Sequence, residues 1–185
     1  MFPIGDENPE RKKFPLVTAV LLVVNVVVFG FEISRGPAFI ERWAFVPAQF
    51  SADPLGNWHT LFTALFLHAG LLHIASNMIY LLIFGDNIEH RFGYLPFVFF
   101  YFLSGAFGNL AHMLVSPGST TPVVGASGAI AGVLGAYILL YPKRRVRVLM
   151  FYTIVQLPAL IVIGAWFILQ LLSSLALLSG ATEAG

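Results

Sequence analysis

"PVVGASGAIAG", residues 122–132, holds a serine among small residues, in a stretch otherwise fit for lipid. Gly125, Ala126 and Gly128 surround Ser127, and the segment reads in two ways. Small residues let membrane helices approach one another closely. They also let a substrate backbone come near a hydroxyl, and a serine so exposed can serve as a nucleophile. The rest of the chain decides between packing and chemistry.

Of the 185 residues, 58% are hydrophobic and only 10% charged, against roughly 25% charged in soluble domains. The mean hydropathy is +0.84. No soluble fold of this size has interior enough for that much apolar surface, so lipid must cover it, and the chain reads as an integral membrane protein. A net charge of +1 carries no nucleic-acid signal, and with no cysteine there is neither disulfide nor thiolate metal site. The N-terminus "MFPIGDENPERKK" is polar, and no small-residue cleavage site follows it. The first apolar run is therefore read as a retained span and not a signal peptide.

A spanning helix needs about 20 apolar residues. Five segments qualify: 14–33, part of 58–85, 94–115, 123–142 and 157–179. The second is too long for one simple span and breaks at "HAG", where Gly70 is a poor helix residue. Residues 34–69 are thus expected to be a long first loop and the span to start near 70. Arg11, Lys12, Lys13, Arg91, Lys143, Arg144, Arg145 and Arg147 all fall on one side of the alternating spans, and only Arg35 and Arg42 on the other. That asymmetry predicts a cytoplasmic N-terminus. The expected organisation is a cytoplasmic segment, 1–13, and one membrane domain, 14–185.

Polar groups inside a span are costly and point to function. His73 and Asn77, spaced i and i+4, share one helix face, about one and two turns into the second span. Ser127 is expected one turn into the fourth, at comparable depth. An imidazole, a carboxamide and the Ser127 backbone N–H would suit the oxyanion formed when a serine attacks an amide. Periodicity alone favours packing, since Ser127, Ala131 and Gly135 form a stripe and Gly128 and Gly132 a GxxxG pair. It leaves two costly polar groups at the serine's depth as coincidence.

"HAGLLHIASNMIYLLIFGDNIEHRFG" (68–93) followed by "VVGASGAIAGVLGAYILLYPKRRVRV" (123–148) resembles the rhomboid family of intramembrane serine proteases. The likeness runs from Trp58 to Leu178. It implies an all-α polytopic bundle, with five spans present of an expected six, a partly embedded first loop and a water-filled cavity. By resemblance Ser127 is the nucleophile, and His73 and Asn77 stabilise the oxyanion. Gly125 and Gly128 shape the serine's surroundings, and His68 is structural. Glu89 and Arg91 tie the end of the second helix to its neighbours. Trp166 and Phe167 lie on the helix that gates lateral substrate access. Thr60 stands where many members have arginine. The resemblance further implies transmembrane protein substrates cut in or near the outer leaflet of a prokaryotic-style plasma membrane, without metal or cofactor. Lipid surrounds the protein, and nucleic acid is not a partner.

One departure stands out. The family's base is a histidine on a sixth helix, whereas the last histidine here is His112. The tail "SLALLSGATEAG" (174–185) reads like the start of a loop leading to that helix, so a sixth-helix segment of the same protein is expected to be missing. The alternative is a catalytically inactive relative that binds membrane proteins without cutting them. A third reading makes His112, on a small-residue face with Ser104 and Gly108, a substitute base. A transporter or channel is disfavoured, because no acidic residue lies deep in a span and no paired broken helices occur.

Overall fold

The computed structural model describes residues 2–7 and 14–178. Arg11, Lys12 and Lys13, and the tail from Ser179, lie outside the described residues. The fold is a polytopic membrane helical bundle. Its elements are β1 (Phe2–Asp6), α1 (Leu16–Arg35), α2 (Pro37–Trp43), α3 (Pro47–Ala52), α4 (Pro54–Asn57), α5 (Thr60–Thr63), a 3-10 turn (Ala64–Phe66), α6 (Leu71–Phe92), α7 (Tyr94–Val115), α8 (Ser127–Leu140), β2 (Arg145–Met150), β3 (Thr153–Pro158) and α9 (Ala159–Leu178). The residues pack as two compact units. Among the described residues, one comprises 14–137 and the other 2–7 with 138–178.

In the larger unit, α1, α6 and α7 are each long and apolar enough to cross a membrane. Lipid solvates apolar side chains, so a span turns its few polar residues inward. α1 does this along one stripe: Thr18, Leu21, Asn25 and Glu32 are buried, while Val20, Val23, Val26, Val27 and Ile33 face outward. α6 is enclosed on all sides from Ile83 to Glu89. Buried Glu89 caps the start of α1, accepting from the Val17 N–H (2.9 Å), the Thr18 N–H (2.7 Å) and the Thr18 hydroxyl (2.7 Å). Those N–H groups have no partner within their own helix, and a carboxylate at the positive end of the helix dipole suits them. Arg91, expected to share this tie, is exposed. Gly93, at φ +85°, makes the turn into α7 and donates its N–H to the Glu89 carbonyl.

The first loop is packed into this unit. Phe45, Leu65, Leu67 and His68 are all buried. Leu65 sits against Gly105 of α7, the Asn109 amide donates to the Leu61 carbonyl (3.0 Å), and the Ala48 N–H donates to the Ser119 carbonyl (3.0 Å). At the position of the family's arginine, buried Thr60 donates its hydroxyl to the Asn57 carbonyl at 2.6 Å. Trp58 remains 60% exposed.

The fourth expected span, 123–142, is corrected. α8 begins only at Ser127 and has 14 residues, about 21 Å of helix against a hydrocarbon core of about 30 Å. The left-handed backbone of Gly125, at φ +121°, breaks helical geometry just before α8. Irregular backbone at membrane depth needs protein partners, and residues 123–125 have them. Val123 and Phe45 exchange two backbone bonds, at 2.8 and 3.1 Å, and the Gly125 N–H donates to the Ala64 carbonyl at 2.9 Å.

In the smaller unit, β1, β2 and β3 form an antiparallel sheet in that order, with Gly5 opposite Arg147 and Arg147 opposite Gln156. Within β2 burial alternates: Val146 and Val148 are buried, Arg145 and Arg147 exposed. This sheet is additional to the helices expected from the sequence. Because β1 pairs with β2, the N-terminal strand and the connection between α8 and α9 lie on the same side of the bilayer.

Candidate active site

The site assembles where α6 meets the segment that leads into α8. The extended approach to α6 is fixed by α1, since the buried Glu32 carboxylate accepts the His68 N–H with both oxygens at 3.1 Å. The His68 ring is buried beside the Phe66 backbone. It meets the His73 ring edge-on, with centroids 5.2 Å apart and planes at 71°. Burial, with the neighbouring His73 second, pushes the His68 imidazole down to about 4.

His73 is half-buried on the first turn of α6. Its Nδ1 accepts the Ala69 N–H at 3.3 Å. An imidazole nitrogen that accepts carries no proton, so the neutral ring holds its hydrogen on Nε2. That atom faces Gly125: a Cβ built there would lie 2.8 Å from Nε2 and 3.6 Å from the Asn77 Nδ2. Asn77, one turn on, is fully buried, and neither its nitrogen nor its oxygen has a partner among the described residues. An amide left so costs about 1–3 kcal/mol, and such costs gather at functional sites. Two donors thus converge on the backbone two residues before Ser127.

Ser127 is the first residue of α8 and is half-buried. The first N–H groups of a helix have no intrahelical partner, and the dipole makes that end favourable for negative charge. Gly128 faces the other way, onto α7: its Cβ position lies 3.4 Å from the Gly108 Cα, and Gly132 packs on Ser104. Gly128 and Gly132 are therefore packing residues. Gly135 is not, since a Cβ there would meet nothing within 4 Å. The stripe expected to continue through Gly135 ends before it. His112 is half-buried in the last turn of α7, one turn beyond Gly108.

On α9, Trp166 is buried and Phe167 exposed, their rings meeting edge-on at 5.2 Å. They belong to the smaller unit. Among the described residues no three His, Asp or Glu side chains are grouped to hold a metal. Sequence reasoning missed Glu32, the anchor of the His68 segment, and Asn109, which holds the first loop. Both were visible as polar residues in apolar helices.

Two imidazoles and a partnerless carboxamide gathered at the start of a short helix make a polar site inside a membrane-spanning bundle. The chain belongs to the rhomboid family: the Rhomboid domain matches residues 55–182. It is 33% identical over 133 residues to the rhomboid protease GluP of Bacillus subtilis, covering 71% of this chain and 26% of that one. To Rhomboid-like protease 3 of Toxoplasma gondii it is 41% identical over 117 residues, covering 63% and 42%. To RHOMBOID-like protein 1 of Arabidopsis thaliana it is 28% identical over 162 residues, covering 71% and 41%. The chain spans less than half the length of each of these relatives.

Proposed function

We propose that the chain carries the nucleophile and oxyanion site of an intramembrane serine endopeptidase acting on transmembrane proteins. One observation carries this reading: His73 Nε2 and Asn77 Nδ2 converge on Gly125, two residues before Ser127. The Ser127 hydroxyl attacks the scissile carbonyl, forming a tetrahedral oxyanion. The His73 Nε2–H, the Asn77 amide and the Ser127 N–H donate to that oxygen, each such donor supporting about 10²–10³ in rate. The base takes the hydroxyl proton during attack and returns it to the amine as the intermediate collapses, leaving an acyl-serine; water, deprotonated by the same base, then hydrolyses it. The proton acceptor is a histidine, as the rhomboid resemblance implies, and none follows Ser127 within these 185 residues. The Lys and Arg asymmetry supports a cytoplasmic N-terminus, with cleavage toward the opposite leaflet. By resemblance, Trp166 and Phe167 on α9 are gate residues for the substrate.

The alternative reading is a non-catalytic relative that retains membrane proteins. Labelling by a fluorophosphonate probe, with Ser127→Ala as control, separates the two. Serine-dependent labelling of this chain makes it a nucleophile with a base already present, and His112→Ala then tests the substitute. Labelling that arises only when a histidine-bearing helix is added supports the protease with a supplied base. No labelling in either case supports the binder.

A further inference from the structure

We propose that Arg35 and Arg42 form a binding site for the phosphate of an anionic lipid headgroup. α1 has 20 residues, about 30 Å of helix, the thickness of the hydrocarbon core. Arg35, its last residue, therefore stands at the level of the headgroups. α2 starts immediately after Gly36 and returns Arg42 to the same place. The two arginines, with Ala38, Phe39 and Trp43, line a cavity of about 460 Å³.

The arginines are held without being neutralised. The Arg35 guanidinium lies 5.5 Å from the centroid of the Phe31 ring, and that of Arg42 lies 5.3 Å from that of Trp43. Neither has a carboxylate partner among the described residues. Glu41, next to Arg42, is exposed and makes no ion pair with it. Two guanidinium forks, each steadied on an aromatic face, suit the oxygens of one phosphate. Phe39 and Trp43 supply an apolar floor for the glycerol and upper acyl chain, in the zone where tryptophan settles in membranes. A free phosphate would offer the same oxygens but would have no use for that floor.

The purified chain in detergent micelles is titrated with phosphatidylglycerol, phosphatidylcholine and inorganic phosphate, and bound lipid is read by native mass spectrometry beside the melting temperature. Phosphatidylglycerol is expected to be retained about thirtyfold less by Arg35→Gln/Arg42→Gln than by the parent chain. Arg91→Gln, an exposed arginine elsewhere, should bind as the parent does. If the double variant does not fold, Arg42→Lys decides: it keeps the charge and loses the fork, so weaker retention with unchanged melting supports the site. Equal retention by parent and double variant, or by parent and Arg42→Lys, overturns it. Stabilisation by inorganic phosphate matching that by phosphatidylglycerol overturns the lipid as the source.

Discussion

Gly125 stands against His73 so closely that a Cβ on it would lie 2.8 Å from both Nε2 and Cε1 of the ring. Its φ of +121° is also one that a side-chain-bearing residue rarely adopts. Gly125→Ala must therefore push His73 away or unwind the approach to Ser127. The expected result is a loss of about 1–3 kcal/mol in stability and a fall of about 10²-fold or more in cleavage or in probe labelling of Ser127. Melting and labelling, measured on the same preparation with whatever base the activity needs, check both. A variant that labels at the parent rate would refute the assembly of donors around this glycine.

Asn77 gives the opposite signature. Its buried amide has no partner among the described residues, so the folded state carries its desolvation cost. Asn77→Leu, close in volume and apolar, is expected to melt at or above the parent, by up to about 1 kcal/mol. Its activity should fall by about 10²–10³. A fall in both would mark the asparagine as structural.

The pH dependence of stability follows from His68, whose ring burial holds at about 4, against about 6.5 when unfolded. Between those values the unfolded chain takes up a proton that the folded chain refuses. Stability is then full above pH 6.5 and falls as pH drops toward 4, by up to about 3 kcal/mol. Melting temperatures measured across this range should decline on acidification, and His68→Gln should remove most of the slope. An equal slope in the variant would assign the titration elsewhere.

The glycines of α8 and its neighbour are not equivalent. A Cβ at Gly108 would lie 2.9 Å from the Gly128 Cα, which is backbone and cannot swing aside, whereas one at Gly128 would lie 3.4 Å from the Gly108 Cα. Gly135 has open space. Gly108→Ala should cost about 1–3 kcal/mol and Gly128→Ala less than about 1. Gly135→Ala should be neutral or stabilising, because alanine is the better helix former. Unfolding by denaturing detergent ranks the three, and Gly135→Ala as the most damaging would contradict the packing described.

What could be read without the structure divides along a physical line. The apolar runs of α1, α6 and α7 carry their own boundaries, since hydropathy and the break at Gly70 are local signals. His73, Asn77 and Ser127 stood out because polar groups in apolar spans are rare. α8 was drawn too long because residues 123–126 are as apolar as a helix, and only Phe45 and Ala64, over fifty residues away, hold them extended. The sheet escaped for the same reason. "RVRVLM" alternates in period two, but its role depends on Phe2–Asp6, about 140 residues earlier. Glu32 and Glu89 were legible as costly residues, but their partners, the His68 N–H and the start of α1, belong to tertiary structure.

The pairing of β1 with β2 makes a topological demand that charge counting cannot. Residues 2–6 and 145–150 are hydrogen-bonded, so the chain between them crosses the bilayer an even number of times. The chain has no cysteine, and Ile4 and Tyr152 are both exposed, so single cysteines at these positions report cleanly. An impermeant maleimide should label both positions in sealed vesicles of one orientation and neither in the other. Labelling only in inverted vesicles would put that face in the cytoplasm, as the Lys and Arg asymmetry predicts. Labelling of the two positions from opposite faces would break the β1–β2 pairing.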